Sequence, residues 1–277
     1  VTIPEINLSI NPDLACKILT GFIKSEINRA GFARAVVGLS GGVDSALSCV
    51  LAAEALGPEN VLAVRMPYKS SSPESLEHAQ MVIEQFKVRS ETVEITNMVD
   101  ALISRDPEMS KTRKGNIMAR ARMIVLYDQS EVFKGLVVGT GNKTEILLGY
   151  STLWGDSASA LNPIGDLYKA QVRQLARALG IPSVIVDKPP SADLWVGQTD
   201  ENELGFTYDD VDKLLYLLVD HRYSPEECVE AGFDQTFVET VVTRICRNQF
   251  KRMLPPIAKL SNRTVGYDFL YLRDWGT

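Results

Sequence analysis

Gly38-Leu39-Ser40-Gly41-Gly42-Val43-Asp44-Ser45 follows directly on the apolar run Ala35-Val36-Val37, and no other stretch constrains the chain as much. A short β-type run breaks into Ser-Gly-Gly and restarts in a helical pattern at Ala46, Leu47, Val50 and Leu51. A strand, loop and helix in this order aim bare backbone N–H groups and a helix N-terminus at a phosphate. Glycine is needed because a backbone cannot come close to a polyanion past a Cβ, and tight turns often require positive φ. Ser40 and Ser45 add hydroxyl donors, and Asp44 puts a carboxylate where a bridging Mg²⁺ would sit. The loop is too short for the Walker motif and lacks its Gly-Lys-Ser/Thr ending. Its adjacent glycines also differ from the spaced dinucleotide fingerprint. The bland alternative is a Gly-rich turn that merely joins strand to helix.

Strands and helices alternate around this loop. Asn11-Pro12-Asp13 marks a helix start, since Asn caps, Pro suits the first turn and Asp complements the dipole. Leu14, Ile18, Phe22 and Ile27 then form an apolar stripe that stops near Gly31. The pattern predicts strand 35–39, helix 45–56, strand 61–66, helix 73–87, strand 92–95, helix 116–133, strand 136–139 and helix 167–179. Such alternation implies an α/β fold with a mostly parallel, doubly wound sheet flanked by helices. Residues 105–115 carry Lys111, Arg113 and Lys114, and read either as a solvated loop or as a basic flap over phosphates. Helix 116–133 is apolar on nearly every side, as in a buried helix or a subunit interface. Residues 187–206, with Pro189, Pro190, Trp195, Asp200, Glu201 and Glu203, read as a long functional or disordered loop. Helices at 208–219 and 234–250 follow, giving one domain over 1–277 with a helical C-terminal section from about 208.

With 45% apolar and 23% charged residues the composition is that of an ordinary globular chain. No run reaches the length of a membrane span, and the N-terminus lacks a basic-then-apolar signal, so no membrane role and a cytoplasmic location are expected. A net charge of −6 argues against nucleic acid as a partner, which needs a basic field. Cys16, Cys49 and Cys246 fall at helical apolar positions and read as small core residues of a reducing compartment, not as zinc ligands. His78 and His221 read as solvated surface residues, so acid–base chemistry on histidine is not expected.

In a doubly wound sheet, ligands bind beyond the carboxyl ends of the strands. Gly139-Thr140-Gly141-Asn142-Lys143-Thr144-Glu145 ends one strand, and Asn162-Pro163-Ile164-Gly165-Asp166-Leu167-Tyr168-Lys169 leads into a helix. Asn116 and Arg120 stand four apart on one helical face, so both could reach one ligand. Pro189-Pro190-Ser191-Ala192-Asp193-Leu194 opens the irregular loop. The string S-G-G-x-D-S resembles the pyrophosphate loop of the N-type ATP pyrophosphatases, which split ATP into AMP and pyrophosphate while activating a carboxylate or carbonyl. Taken with N-I-M-A-R-A-R-M, G-T-G-N-K-T-E, P-I-G-D-L-Y-K-A-Q-V, P-P-S-A-D-L-W and D-E-N-E-L-G-F-T-Y-D-D-V-D, the chain resembles the NAD synthetases from about residue 11 to 255. Those enzymes convert deamido-NAD to NAD.

The resemblance implies a Rossmann-like fold of the adenine nucleotide alpha hydrolase type. It implies an ATP site on Gly38, Leu39, Ser40, Gly41, Gly42, Val43, Asp44 and Ser45, with residues 40–45 on the β- and γ-phosphates and Thr140, Lys169 and Ser191 on the rest of ATP. It implies Mg²⁺ on Asp44 and Glu145, deamido-NAD on Arg120 and Lys251, and a homodimer. Asp44 and Lys169 would support the reaction electrostatically, without a protein nucleophile. Glutamine-dependent members carry a nitrilase-like domain; here a single helix precedes the loop, which points to ammonia, free or from a separate protein. Leu153 and Ala160 stand where many members have a Lys and an Asp that touch deamido-NAD, Phe250 replaces a His, and Ser157 replaces a Gly. Recognition of the dinucleotide is therefore expected to move to neighbours such as Arg122, Arg252 or Arg263. Three rivals stay open. A GMP-synthetase-like ATP pyrophosphatase shares S-G-G-x-D-S but not S-A-D-L-W or P-I-G-D-L-Y-K. A tRNA-thiolating enzyme would be expected to show paired cysteines or a basic surface. The third is a non-catalytic adenine-nucleotide-binding protein.

Overall fold

Asn11 accepts a hydrogen bond from the Leu14 amide at 3.0 Å and so starts α1 (Pro12–Arg29) in this computed structural model, which describes residues 6–191, 194–195 and 198–268. The chain then builds β1 (Ala35–Gly38), α2 (Val43–Leu56), β2 (Val61–Arg65), α3 (Pro73–Phe86), β3 (Arg89–Thr92), α4 (Thr96–Ile103), α5 (Lys111–Phe133), β4 (Leu136–Val138) and α6 (Lys143–Leu148). Helices follow: α7 (Lys169–Ala178), α8 (Ser183–Val186), α9 (Asp200–Leu204), α10 (Tyr208–Leu215) with a π-helical turn over Tyr216–Asp220, α11 (Pro225–Glu230) and α12 (Gln235–Arg247).

The strands pair in the order β3-β2-β1-β4, and every pair is parallel. Side chains alternate across the sheet. Ala35, Val37, Val61 and Ala63 enter one core with residues of α1, α2 and α7. Val36, Leu62 and Val64 enter the opposite core with Val99, Met118, Ala121 and Val125 of α4 and α5. Burial on both faces explains why β1 and β2 read as unbroken apolar runs rather than alternating ones. Each such Val or Leu contributes about 1.5–3 kcal/mol by leaving water. A third core lies among Tyr208, Leu214, Leu215, Cys228, Val238 and Val241, and it reaches Leu148 at the end of α6 and Tyr168 just ahead of α7.

Several expectations change. Leu14, Ile18 and Phe22 face outward, because α1 docks through Ile23 and Ile27, on another side of the helix. The third strand lies three residues earlier than its apolar signal, at Arg89–Thr92, and is exposed along its length. Ile95 is buried at the entry to α4 instead. Lys111, Arg113 and Lys114 belong to the first turns of α5, where Ser110 accepts a bond from the Arg113 amide, so the charged loop is shorter than 105–115. Helix α5 buries one face and exposes Ile124, Tyr127 and Val132. His78 is buried, not solvated, since it shares the inward face of α3 with Ser75, Ala79 and Val82. Cys246 is exposed, whereas Cys228 is the buried thiol of the C-terminal section. The irregular loop contains α9, while Ala192 and Asp193 lie outside the described residues.

Candidate active site

Chain order reverses between β1 and β4, which opens a crevice at their carboxyl ends. Residues 39–42 leave β1 on one side of it, and residues 139–142 leave β4 on the other. Between them lies a cleft of about 810 Å³, lined by Gly38, Leu39, Ser40, Gly42, Val43, Asp44 and Ser45 together with Thr140, Glu145, Lys169, Ser191 and Lys251. Gly41 packs closely against the start of α3. Its φ is +83°, and a Cβ there would lie 2.1 Å from the Ser75 carbonyl oxygen at the start of α3.

The loop keeps its shape through its own serines. Ser45 Oγ accepts from the Ser40 amide at 3.1 Å, and the two hydroxyls stand 2.9 Å apart. Gly42 caps α2 without a side-chain bond, which leaves the first-turn amides of that helix turned toward the cleft.

Charge is concentrated beside this loop. Lys169, the first residue of α7, is only 3% exposed, and its ammonium donates to Asp44 Oδ2 at 2.5 Å with Glu145 Oε1 at 3.5 Å. Asn142 caps α6 by accepting from the Glu145 amide, and its Nδ2 donates to Asp44 Oδ1 at 2.8 Å. Asp200 is buried nearby, accepting from the Tyr150 hydroxyl at 3.1 Å. Burial, and then repulsion from Asp44, push the Glu145 carboxyl up to about 8. Burial also raises Asp200, against the pull of Lys169. Burial opposes the charge on Lys169, but Asp44 and Glu145 outweigh it and hold the ammonium above its ordinary value. Three carboxylates thus surround one cation.

Lys251 sits at the rim, donating to the Gly149 and Ser151 carbonyls at 2.6 and 2.7 Å. Beyond it is a second cavity of about 430 Å³, lined by Met123, Tyr127, Leu153, Trp154 and Met253 among others. Arg120 is not brought to the phosphate loop. It is exposed on α5 and donates to the Leu153 carbonyl at 3.1 Å, beside Thr152, whose hydroxyl donates to Asn116 Oδ1 at 2.8 Å. Arg122 faces the cleft instead, with Nε on the Met66 carbonyl at 3.2 Å.

Sequence reasoning gave no role to Asn142 or Asp200. The first was visible as Asn142 three residues ahead of Glu145, the spacing of a capping box. Asp200 opens the string D-E-N-E-L-G-F-T-Y-D-D-V-D, but its partner Tyr150 and the nearby Lys169 come from distant segments.

The sequence profile of the family described as NAD synthase matches residues 15–255. A Trichlorobacter lovleyi protein described as NH(3)-dependent NAD(+) synthetase is 57% identical over 269 residues, covering 97% of this chain and 98% of that one. A Chlorobium phaeovibrioides protein of the same description is 56% identical and covers 97% of each chain. Among solved structures, the NH3-dependent NAD synthetase from Campylobacter jejuni superposes with a TM-score of 0.78 at 32% identity, covering 90% of this chain and 100% of that one. The NMN synthetase from Francisella tularensis superposes with a TM-score of 0.80 at 30% identity, covering 90% and 99%.

Proposed function

We infer, since this chain belongs to the NAD synthase family, that it catalyses the ATP-dependent amidation of deamido-NAD to NAD with ammonia as nitrogen donor. The observation that carries the reading is the meeting of the phosphate-type loop with Asp44, Lys169 and Glu145 in one cleft. A carboxylate acylates poorly because its leaving group would be oxide. Attack on the α-phosphate of ATP forms an acyl-adenylate and releases pyrophosphate; ammonia then displaces AMP to give the amide. Negative charge grows on the departing pyrophosphate, where the loop amides, Ser40, Ser45 and Lys169 would meet it by fixed placement. Residues 38–45, Thr140, Lys169 and Ser191 are the proposed ATP contacts.

Mg²⁺ fits the donor set. It takes one or two carboxylates along with phosphate oxygens and water, and Asp44 with Glu145 supplies such a pair. Asp44, Glu145 and Asp200 around the single ammonium of Lys169 leave room for added positive charge. When bound, the ion would neutralise charge on the phosphates. Glu145→Gln is expected to lower turnover about 100-fold and to raise the Mg²⁺ needed for half-maximal rate. A Mg²⁺ titration that overlays the parent's would remove Glu145 from the metal site.

We place the rest of deamido-NAD across Lys251 toward the second cavity, with Arg120 at its edge through Leu153. With no charge at Leu153 and Ala160, the cations on that path include Lys251 on both cavities, Arg252 on the second and Arg122 on the first. A homodimer is proposed on the outer face of α5, where Ile124, Tyr127 and Val132 are exposed. Sedimentation should give a dimer mass, and a fully active monomer would end that proposal. The helical C-terminal section is proposed to act with the sheet as one domain, because the Lys169 region packs against both. Free cysteines suit a reducing, cytoplasmic setting, and no helix among the described residues is long and apolar enough to cross a membrane.

The test is direct. Incubation with Mg-ATP, ammonium and deamido-NAD should yield NAD, AMP and pyrophosphate. At fixed total ammonium the initial rate should climb with pH through the neutral range, following NH3. Efficient turnover on glutamine alone would overturn ammonia as the nucleophile.

A further inference from the structure

Glu145 stands in the first turn of α6 and Lys169 opens α7, yet 23 residues separate them in the chain. Their registry is held from behind. Asp212 of α10 is fully buried; its Oδ1 accepts from Thr144 Oγ1 at 2.5 Å and its Oδ2 from the Ala170 amide at 2.8 Å. The same Thr144 hydroxyl accepts from the Lys169 amide at 3.1 Å. Asp220, at the end of the π-helical turn, repeats the pattern: Oδ1 takes Lys143 Nζ at 2.8 Å and Oδ2 takes the Tyr168 hydroxyl at 2.9 Å. Each carboxylate therefore bridges residues 143–144 on one side and 168–170 on the other. Neither lines the cleft.

We propose that Asp212, seconded by Asp220, is a positioning residue that sets the Glu145 carboxylate against the Lys169 ammonium. Asp212 serves as a cap supplied by another helix. Tyr168 caps α7 without a side-chain bond, and the Asp212 carboxylate takes up the Ala170 amide that the first turn leaves open. A buried carboxylate is a weak source of stability by itself. What this one delivers is direction: its two oxygens face two helix starts, and each start presents its next functional side chain to the cleft. Displacement of a reacting group by about 1 Å can lower a rate about 100-fold.

The inference rests on the reading of Glu145 and Lys169 given above. It is tested by Asp212→Asn, Asp212→Ala and Asp220→Asn, each alone and combined with Glu145→Gln. The readouts are kcat and KM for ATP in NAD formation and the melting temperature, all on samples shown to be folded. Asp212→Ala should lower kcat about 100-fold and Asp212→Asn about 10-fold, with KM for ATP within about threefold. Asp212→Ala with Glu145→Gln should lose about tenfold less than the product of the single losses, while the drops in melting temperature simply add. Additive losses in kcat, or an unchanged kcat in folded Asp212→Ala, would overturn the proposal. Should Asp212→Ala fail to fold, Asp212→Asn and the half-exposed Asp220→Asn carry the same comparison. Full activity in Glu145→Gln overturns the site reading and this inference with it. An impaired Glu145→Gln with additive losses overturns this inference alone.

Discussion

Asp44→Asn is expected to lower kcat about 1,000-fold while the chain stays folded. Asp44 is where the phosphate loop, Asn142 and Lys169 meet: it accepts from Asn142 Nδ2 at 2.8 Å and from the Lys169 ammonium at 2.5 Å. Asparagine keeps the shape but offers a single acceptor oxygen, so one of the two donors loses its partner, and the negative charge is lost. Breaking a buried ion pair by removing one partner ordinarily costs about 3–5 kcal/mol. Here the loss is smaller, because Glu145 remains 3.5 Å from the ammonium and Asp200 lies close by. The measurement is kcat beside a thermal melt. Turnover near that of the parent would take Asp44 out of the reaction.

Gly41→Ala should abolish measurable ATP binding and lower the melting temperature by about 5 °C or more. Two separate penalties combine. At φ +83° an L-residue costs roughly 1–2 kcal/mol. The new methyl would also sit 2.1 Å from the Ser75 carbonyl oxygen and 2.9 Å from its carbon, and backbone cannot swing aside as a side chain can. The loop must therefore leave α3, which moves Ser40 and the first amides of α2. Gly42→Ala is the control: its φ is −90° and its nearest neighbour would be Ser40 Oγ at 3.5 Å, an ordinary contact. The thermal melt separates the two variants, since Gly42 itself lines the cleft among the proposed ATP contacts. Equal behaviour would mean that the loop is not held against α3 as described.

The sheet was legible because β1 and β2 are buried on both faces and announce themselves as apolar runs. β3 was misplaced because its residues are exposed at the sheet edge, while the apolar residues that follow it serve α4. His78 misled for a related reason: its polarity pointed outward, but its place on the inward face of α3 decided the matter. Within the site, the loop and the identity of Asp44, Glu145 and Lys169 could be read from local strings and the resemblance they carry. Asp200 and Asp212 open and close one of those strings, but their roles could not be read from it, since what makes them matter is proximity across the fold. Helical spacing put Arg120 on a face with Asn116, and the two side chains meet adjacent residues of one loop, Leu153 and Thr152.

The bonds of the charged cluster span great lengths of chain: 98 residues from Asn142 to Asp44, 125 from Lys169 to Asp44 and 68 from Thr144 to Asp212. The four strands of the sheet among the described residues, by contrast, end by Val138. Contacts so far apart in sequence close late, and a chain made from its N-terminus folds in that order. During synthesis the sheet and its phosphate loop can therefore assemble well before Lys169 is held in place, and the final alignment waits for the emergence of Asp212 and Asp220. A growing chain would carry a loop shaped for nucleotide long before it could act on one, and the reaction would switch on only once residues 212–220 had emerged.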